Sequence, residues 1–160
     1  MIVRPKCKIA IAAFDSLASV EEVLDALKTR GVDLTGAALL AANGHALLEY
    51  RAEIPKDARA TAEVVDPPNL CFLPFKPALY CTMGPLASAL EQRRDRGARR
   101  LAAALKPWLQ PHRVDALEYQ LGRGRILLWF RITDLDHYGI VCGEMVRASP
   151  HLVEVCDECI

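Results

Sequence analysis

The chain of 160 residues carries none of the short motifs that mark common catalytic sites. It has no Gly-x-Ser-x-Gly, no His-Glu-x-x-His and no Walker motif. Its four histidines are dispersed, and no two of them stand four residues apart, as zinc ligands on one helix face would. The glycine-rich run at 122–125 precedes a predicted strand rather than a helix, so it lacks the context of a phosphate-binding loop. These absences favour a non-enzymatic function.

The chain also lacks an excess of charge of either sign, because its 20 basic and 20 acidic residues cancel. A near-neutral protein has no long-range field to attract polyanions, so nucleic acid is not an expected partner. Without net repulsion between copies, self-association through apolar surface becomes more plausible.

No segment is typical of a signal peptide or a membrane span. The N-terminal apolar stretch is short, Asp15 ends it, and no small-residue cleavage site follows. The longest stretch of low charge, 67–90, contains Lys76 and five prolines, which remove backbone donors that a lipid-spanning helix needs. The six cysteines are not framed at disulfide-like spacings. We therefore expect reduced thiols in a cytoplasmic protein without a transmembrane segment.

The last forty residues predict a strand, a helix and a strand in succession. Ile126–Ile132 is an apolar strand, Leu135–Ala148 an amphipathic helix, and His151–Cys156 a second strand. The N-terminal part repeats this order. A strand over 6–13 precedes a helix with Ser19 as N-cap and Glu22 completing a capping box, and another strand begins near residue 37.

The segment between these units predicts mostly turns and helices. Asn43-Gly44 between apolar runs predicts a hairpin with a type I′ turn, and a short helix is expected over 55–65. The stretch 70–83 is either an extended edge segment or a segment that covers another part of the protein. A helix over 85–106, interrupted at Gly97, and another over 112–121 follow.

Placing Leu17 on Leu135 aligns the two helices of the repeat without a gap. The core-facing positions then coincide: Val20, Val23, Leu24 and Leu27 fall on Tyr138, Val141, Cys142 and Met145. Two βαβ units predict a ferredoxin-like α+β sandwich, in which helices cover one face of an antiparallel sheet. We expect a single domain over 1–160, with halves at 6–52 and 112–159 and a helical, proline-rich insertion at 55–110.

The C-terminal part also resembles a known group of proteins. The residues that carry the resemblance are Leu121-Gly-Arg-Gly-Arg-Ile-Leu-Leu-Trp-Phe-Arg131, Glu144-Met-Val-Arg147 and His151-Leu-Val-Glu-Val155. This pattern is similar to that of small bacterial αβ proteins related to the heat-induced general stress proteins, whose functions are mostly unknown. Their N-terminal halves resemble residues 9–32. The resemblance implies a small, stress-associated bacterial protein.

The chain departs from that group at two places. The group has a glycine-rich, membrane-associating middle segment, whereas 67–90 is proline-rich here. Its closing strand shows alternating histidines, where this chain has Glu154 and Cys156. The resemblance therefore does not carry membrane association or a histidine-dependent role to this chain.

Cys156 and Cys159 form a Cys-x-x-Cys pair at the C-terminus. In a ferredoxin-like sheet the last strand lies antiparallel to the first, which brings Cys156 towards Cys7. Three thiols, with His151 or Glu154 nearby, could hold zinc or form a redox disulfide. The alternative is a terminal tail with inert thiols. No other cofactor is expected.

A basic surface is expected on the predicted helix over 85–106. Arg93, Arg96 and Arg100 could bind phosphate, nucleic acid or an anionic membrane. Glu91 and Asp95 stand at ion-pair spacing from arginines of the same stretch, and no aromatic residues interleave with them. A solvated helix face is therefore the favoured interpretation.

Trp129 and Phe130 occupy opposite faces of one predicted strand. If helices cover only one sheet face, one of these aromatics, with Leu127, remains on the other. An open apolar face would be a docking surface for a second copy or a protein partner. The alternative is that an intervening helix or the proline-rich segment covers this face. The sequence thus favours an interaction protein, with a metal or thiol-redox protein as the second hypothesis.

Overall fold

The computed structural model describes residues 8–42, 71–75, 78–83, 85–106, 109–149 and 151–157. Within these residues, six strands form one antiparallel sheet and five α-helices pack on it. The expectation of an α+β protein is confirmed. The hairpin predicted at Asn43-Gly44 and the helix predicted over 55–65 lie outside the described residues.

The first unit consists of β1 (Lys8–Phe14), α1 (Leu17–Thr29) and β2 (Ala37–Ala41). The N-cap of α1 is Ser16, whose hydroxyl oxygen accepts a hydrogen bond from the Ser19 N–H at 3.3 Å. This corrects the predicted capping box, because the helix begins three residues earlier than Ser19 as N-cap would require. A short 3₁₀ turn, Leu34–Gly36, leads into β2.

The middle of the chain adds two strands and three helices. The stretch 70–83, predicted as either an extended edge segment or a cover, forms a hairpin of β3 (Cys71–Phe75) and β4 (Ala78–Met83). Three helices follow: α2 (Pro85–Asp95), α3 (Leu101–Leu105) and α4 (Pro111–Gly122). Gly97, with φ of 105°, lies in the break between α2 and α3, as the sequence predicts.

The second unit consists of β5 (Ile126–Ile132), a 3₁₀ turn (Leu135–His137), α5 (Tyr138–Ala148) and β6 (Val153–Asp157). The predicted bounds of β5 are confirmed. The predicted helix is confirmed as a 3₁₀ turn that continues into α5, while β6 begins two residues later than expected. None of the helices in the described residues is long and apolar enough to cross a membrane.

The internal repeat extends to the strands. Leu17 and Leu135 differ by 118 in residue number. The same difference separates the first and last residues of β1 from those of β5. All eight core-facing helix residues of the repeat pack in one cluster. β1 and β5 are also neighbours in the sheet, where Ile11 pairs with its own repeat equivalent, Trp129. An approximate two-fold axis therefore passes through the centre of the sheet at this pair.

The strand order is β3-β4-β2-β5-β1-β6, so the repeat units interleave at the centre and the β3–β4 hairpin extends one side. One face of the sheet packs against α1 and α5, through residues such as Phe14, Leu39 and Phe130. The other face packs against α2, α3 and α4, through residues such as Ile11, Leu40 and Leu127. Helices therefore cover both faces.

This arrangement corrects the expectation of an open apolar sheet face. Leu127, Trp129 and Phe130 are 0%, 5% and 2% exposed, respectively. The first two lie under the helices of the middle segment, which is the alternative that the sequence left open. Because these side chains are buried within one chain, none of them forms a docking surface in this structure.

Candidate functional site

With both faces covered, the sheet presents its backbone only at its two edges. β3 forms one edge, and Pro74 lies exposed in it. Proline has no backbone N–H, and its presence on an edge strand hinders pairing with another strand. The edge at β3 is therefore protected by its sequence.

The other edge is β6, which pairs only with β1 among the described strands. The Ala13 N–H donates to the Leu152 carbonyl at 3.0 Å, so the backbone of Leu152 faces β1. In an antiparallel ladder, backbone groups alternate between the two sides of the strand. The N–H and C=O groups of Val153 and Val155 therefore point away from β1, along the outer side of the sheet.

Among the described residues, the side chain of Arg113 reaches one of these outward groups. Arg113, in the first turn of α4, donates from Nη1 to the Val155 carbonyl at 3.2 Å. The same nitrogen lies 3.1 Å from Oε2 of Glu154, whose side chain is 19% exposed. Arg113 thus bridges a carboxylate and a backbone acceptor of β6. We call these three residues the edge clamp.

A second polar cluster ties the end of β1 to the residues before β6. Nε2 of His151 lies 2.9 Å from both carboxylate oxygens of Asp15, and Nε of Arg125 donates to Oδ1 at 3.2 Å. The Ser149 hydroxyl donates to the Ala13 carbonyl at 2.5 Å, and the Arg125 guanidinium donates to Gln120 Oε1 at 2.6 Å. The bonds from His151 and Ser149 hold the β6 segment in register with β1, and Arg125 ties the start of β5 to the same end of the sheet, so the cluster has a structural explanation.

The hydrogen bond from His151, followed by the one from Arg125, holds the pKa of the Asp15 carboxyl below its ordinary value. A carboxyl whose pKa is lower in the folded state stabilises the fold at pH values above its pKa in the unfolded chain, which is about 3.9. This stabilisation is lost as the pH falls through the pKa of the folded state. We therefore expect Asp15→Asn to flatten the decline of unfolding free energy between pH of about 5 and about 2. Urea denaturation at several pH values measures this slope.

The cause of that slope can be checked in a His151→Gln background. There Asp15→Asn should change the slope less, since the first hydrogen-bond donor is already gone. An equal change in both backgrounds would show that His151 does not set the titration of Asp15.

A cleft of about 310 Å³ lies at the opposite end of the β1–β5 pair, between the two 3₁₀ turns. Asp33 and Asp134 line it, together with Thr35 and His137. Each aspartate is the N-cap of one turn and accepts a backbone N–H at 3.0 Å. The position of these two carboxylates is therefore explained by capping, because the first N–H groups of a helical turn need side-chain acceptors.

The predicted thiol site falls largely outside the described residues, which exclude Cys7 and Cys159. The strand arrangement on which it depends is present, because β6 is antiparallel to β1 and Lys8 pairs with Asp157. Within the described residues no group of three His, Cys, Asp or Glu could hold a metal. The zinc or redox site at Cys7, Cys156 and Cys159 stays a prediction.

His151 is not available as a fourth ligand of that site. It lies before β6 and contacts Asp15, whereas Cys156 lies near the other end of the strand. Five residues of extended chain span about 16 Å, which is far too long for two ligands of one ion. Glu154, the other suggested ligand, is paired with Arg113.

The predicted basic surface is not one continuous helix face. α2 ends at Asp95, so Arg93 lies on the helix, while Arg96 and Arg100 lie in the segment before α3. Arg96 and Arg100 are exposed, and Arg93 is half-buried, with an Nε atom that has no hydrogen-bond partner among the residues that the structure describes. The spacing of Asp95 and Arg99 therefore does not describe a pair within one helix.

Arg100 lies close enough to the sheet to affect Tyr80 of β4. Burial raises the pKa of the Tyr80 hydroxyl, and the carboxylate of Glu118 raises it further. The Arg100 guanidinium acts in the opposite direction and lowers that pKa. Arg100 thus belongs to a mixed-charge group at the covered face, and anion binding by the three arginines stays a prediction.

The residue of the edge clamp that sequence reasoning missed is Arg113. Arg113 and Val155 are 42 positions apart, and no local pattern links them. The available signal was a basic residue in the first turn of a helix, where an acidic residue is more usual. No family model matches the chain, and neither a curated protein nor a solved structure matches it.

Proposed function

We propose that the chain is a non-enzymatic interaction protein that assembles with a second copy of itself through the outer edge of β6. The observation that carries this proposal is the row of outward backbone groups at Val153 and Val155. Edge strands with such groups are templates for pairing with another chain. The proposal keeps the self-association favoured by the sequence and moves it from the sheet face to the sheet edge.

The fold that we propose for the core is ferredoxin-like. Its support is the strand order β6-β1-β5-β2. The two strands of each βαβ unit are not neighbours in this order, because one strand of the other unit lies between them. In this arrangement β6 is always an outer strand. The β3–β4 hairpin is an addition beside β2 that leaves β6 at the edge.

A second copy fits this edge because an antiparallel pair of identical strands is self-complementary. With a two-fold axis at Val155, that residue would exchange both N–H···O bonds with Val155 of the second copy. The side chains of Val153 and Val155 pack against the core cluster that also contains α1 and α5. Pairing would therefore join the apolar cores of both copies as well as their backbones.

The charges of the chain agree with this choice of partner. The formal net charge is zero, so two copies do not repel each other at long range. The other edge carries Pro74, which would hinder pairing of β3 with β6 of a further copy. We therefore expect a closed dimer rather than an open filament.

Val155→Pro tests the proposal directly. Proline removes the outward N–H of Val155 but none of the hydrogen bonds between β6 and β1. We expect a concentration-dependent dimer for the wild type and a monomer for this variant, with a change in unfolding free energy of no more than about 1 kcal/mol. Sedimentation equilibrium and urea denaturation measure the two quantities.

Val155→Thr is the matched control, because it keeps the β-branched shape and the outward N–H. It should remain a dimer with an affinity close to that of the wild type. A wild type that stays monomeric at high concentration would overturn the proposal, as would a Val155→Pro variant that dimerises like the wild type.

Three further expectations concern the location of the protein, its biological role and its cysteines. Among the described cysteines, Cys142 is a free thiol, which agrees with a proposed cytoplasmic location. A stress-associated bacterial role is implied by the resemblance of the C-terminal unit. The zinc or redox hypothesis is supported only by the pairing of the β6 and β1 ends.

A further inference from the structure

We infer that Arg113 regulates the same edge, by occupying the Val155 carbonyl that a second copy needs. This inference rests on the proposed dimerisation through β6. The guanidinium donates to Val155 O at 3.2 Å, and that oxygen lies at the centre of the proposed pairing. A second copy must therefore displace Arg113 or share its acceptor.

The position of Arg113 makes this competition effective. The side chain starts from α4, which covers one sheet face, and reaches the outer side of the edge strand. It is 36% exposed, so it has room to swing into solvent. Its ion pair with Glu154, at 3.1 Å, keeps the guanidinium beside the strand when no partner is present. A charged group held on an edge strand opposes pairing with other strands.

The hydrogen bond is of the stronger kind, because a charged donor meets a neutral backbone acceptor. Each of the two copies loses such a bond when the edges pair. Glu154 remains within reach of the displaced guanidinium, so the ion pair need not be lost with it. The edge clamp thus weakens the dimer without preventing it, and any change that releases Arg113 strengthens it.

The test compares dimer dissociation constants for the wild type, Arg113→Ala and the control Arg123→Ala by sedimentation equilibrium. Arg123 is exposed just after α4, and its replacement changes the net charge equally. We expect Arg113→Ala to lower the dissociation constant about a hundredfold, because the variant removes one competing charged hydrogen bond from each of the two copies and each bond is worth about tenfold. Arg123→Ala should leave it within about twofold of the wild type, as expected of a surface substitution.

Arg113→Lys should give a dissociation constant between those of the wild type and Arg113→Ala, because lysine keeps the charge but not the planar fork. Circular dichroism of each variant reports whether α4 is retained, and this lysine variant keeps the test valid if the alanine variant unfolds. An Arg113→Ala dimer that is as weak as the wild type, or weaker, would overturn the inference.

The two proposals fail in different ways. If Val155→Pro leaves self-association unchanged, the β6 edge is not the interface and the proposed function is wrong. If Val155→Pro abolishes the dimer while Arg113→Ala behaves like Arg123→Ala, the interface stands and the regulatory role of Arg113 is wrong.

Discussion

Replacement of Leu127 by aspartate is expected to prevent the chain from folding. Leu127 lies in β5, a central strand, and its side chain is 0% exposed beneath the helices of the middle segment. The described side chains that pack in the same cluster are apolar, so an ionised carboxylate would be buried there without compensation. Such a change costs more than about 4 kcal/mol, which approaches the whole stability of a typical domain. Circular dichroism and urea denaturation should show an unfolded or barely folded variant.

This result separates a buried face from a docking face. If Leu127 were on an open dimer surface, an aspartate there would give a soluble, folded monomer. Leu135→Asp is the control, since Leu135 is 46% exposed at the start of a 3₁₀ turn. It should change the unfolding free energy by no more than about 0.5 kcal/mol. A folded Leu127→Asp protein would contradict the packing of α2, α3 and α4 on this face.

The repeat units were predictable because their signals are local. A run such as Ile126–Ile132 is apolar at nearly every position, which is typical of a strand buried on both faces. The two helices show their core positions at helical spacing, and α1 is followed by Gly31, whose φ of 81° is typical of a residue just after a helix. The ferredoxin-like sheet inferred from the two units then predicted that β6 lies antiparallel to β1, as the register shows.

Which segments cover the second face was not predictable by the same means. The helices that cover it are short or weakly amphipathic, and α3 spans only Leu101–Leu105. β3 contains Pro74, which argued against a strand but is tolerated at an edge. Whether such segments fold over a sheet depends on packing between distant parts of the chain, and composition alone does not specify it.

The polar contacts of the candidate site were hidden for a related reason. Asp15 and His151 are 136 positions apart, and they meet only because β6 returns beside β1. Once that return is predicted, polar residues at adjoining strand ends become candidates for contact. Arg113 could not be found in this way, because its reach to the edge of β6 depends on how α4 lies on the sheet.

Gly36→Ala is expected to destabilise the fold by about 3 kcal/mol, the upper part of the usual range for overpacking. Gly36 ends the 3₁₀ turn before β2, and a Cβ atom there would overlap the backbone carbonyl oxygen of Arg131. The nearest atoms all belong to the backbone of β5, so no side chain can rotate away. β5 lies between β2 and β1 and cannot retreat without disturbing both pairings. The melting temperature should fall by roughly 6–12 °C.

Gly143→Ala is the matched control, because Gly143 lies within α5 and nothing stands within 4 Å of its added Cβ. Alanine favours a helix interior over glycine by about 0.5–1 kcal/mol, so this variant should be more stable than the wild type. The same methyl group thus acts in opposite directions at the two sites. Equal thermal stability of the two variants would mean that the 3₁₀ turn does not press against β5, and that the cleft between the two turns is wider than the structure shows.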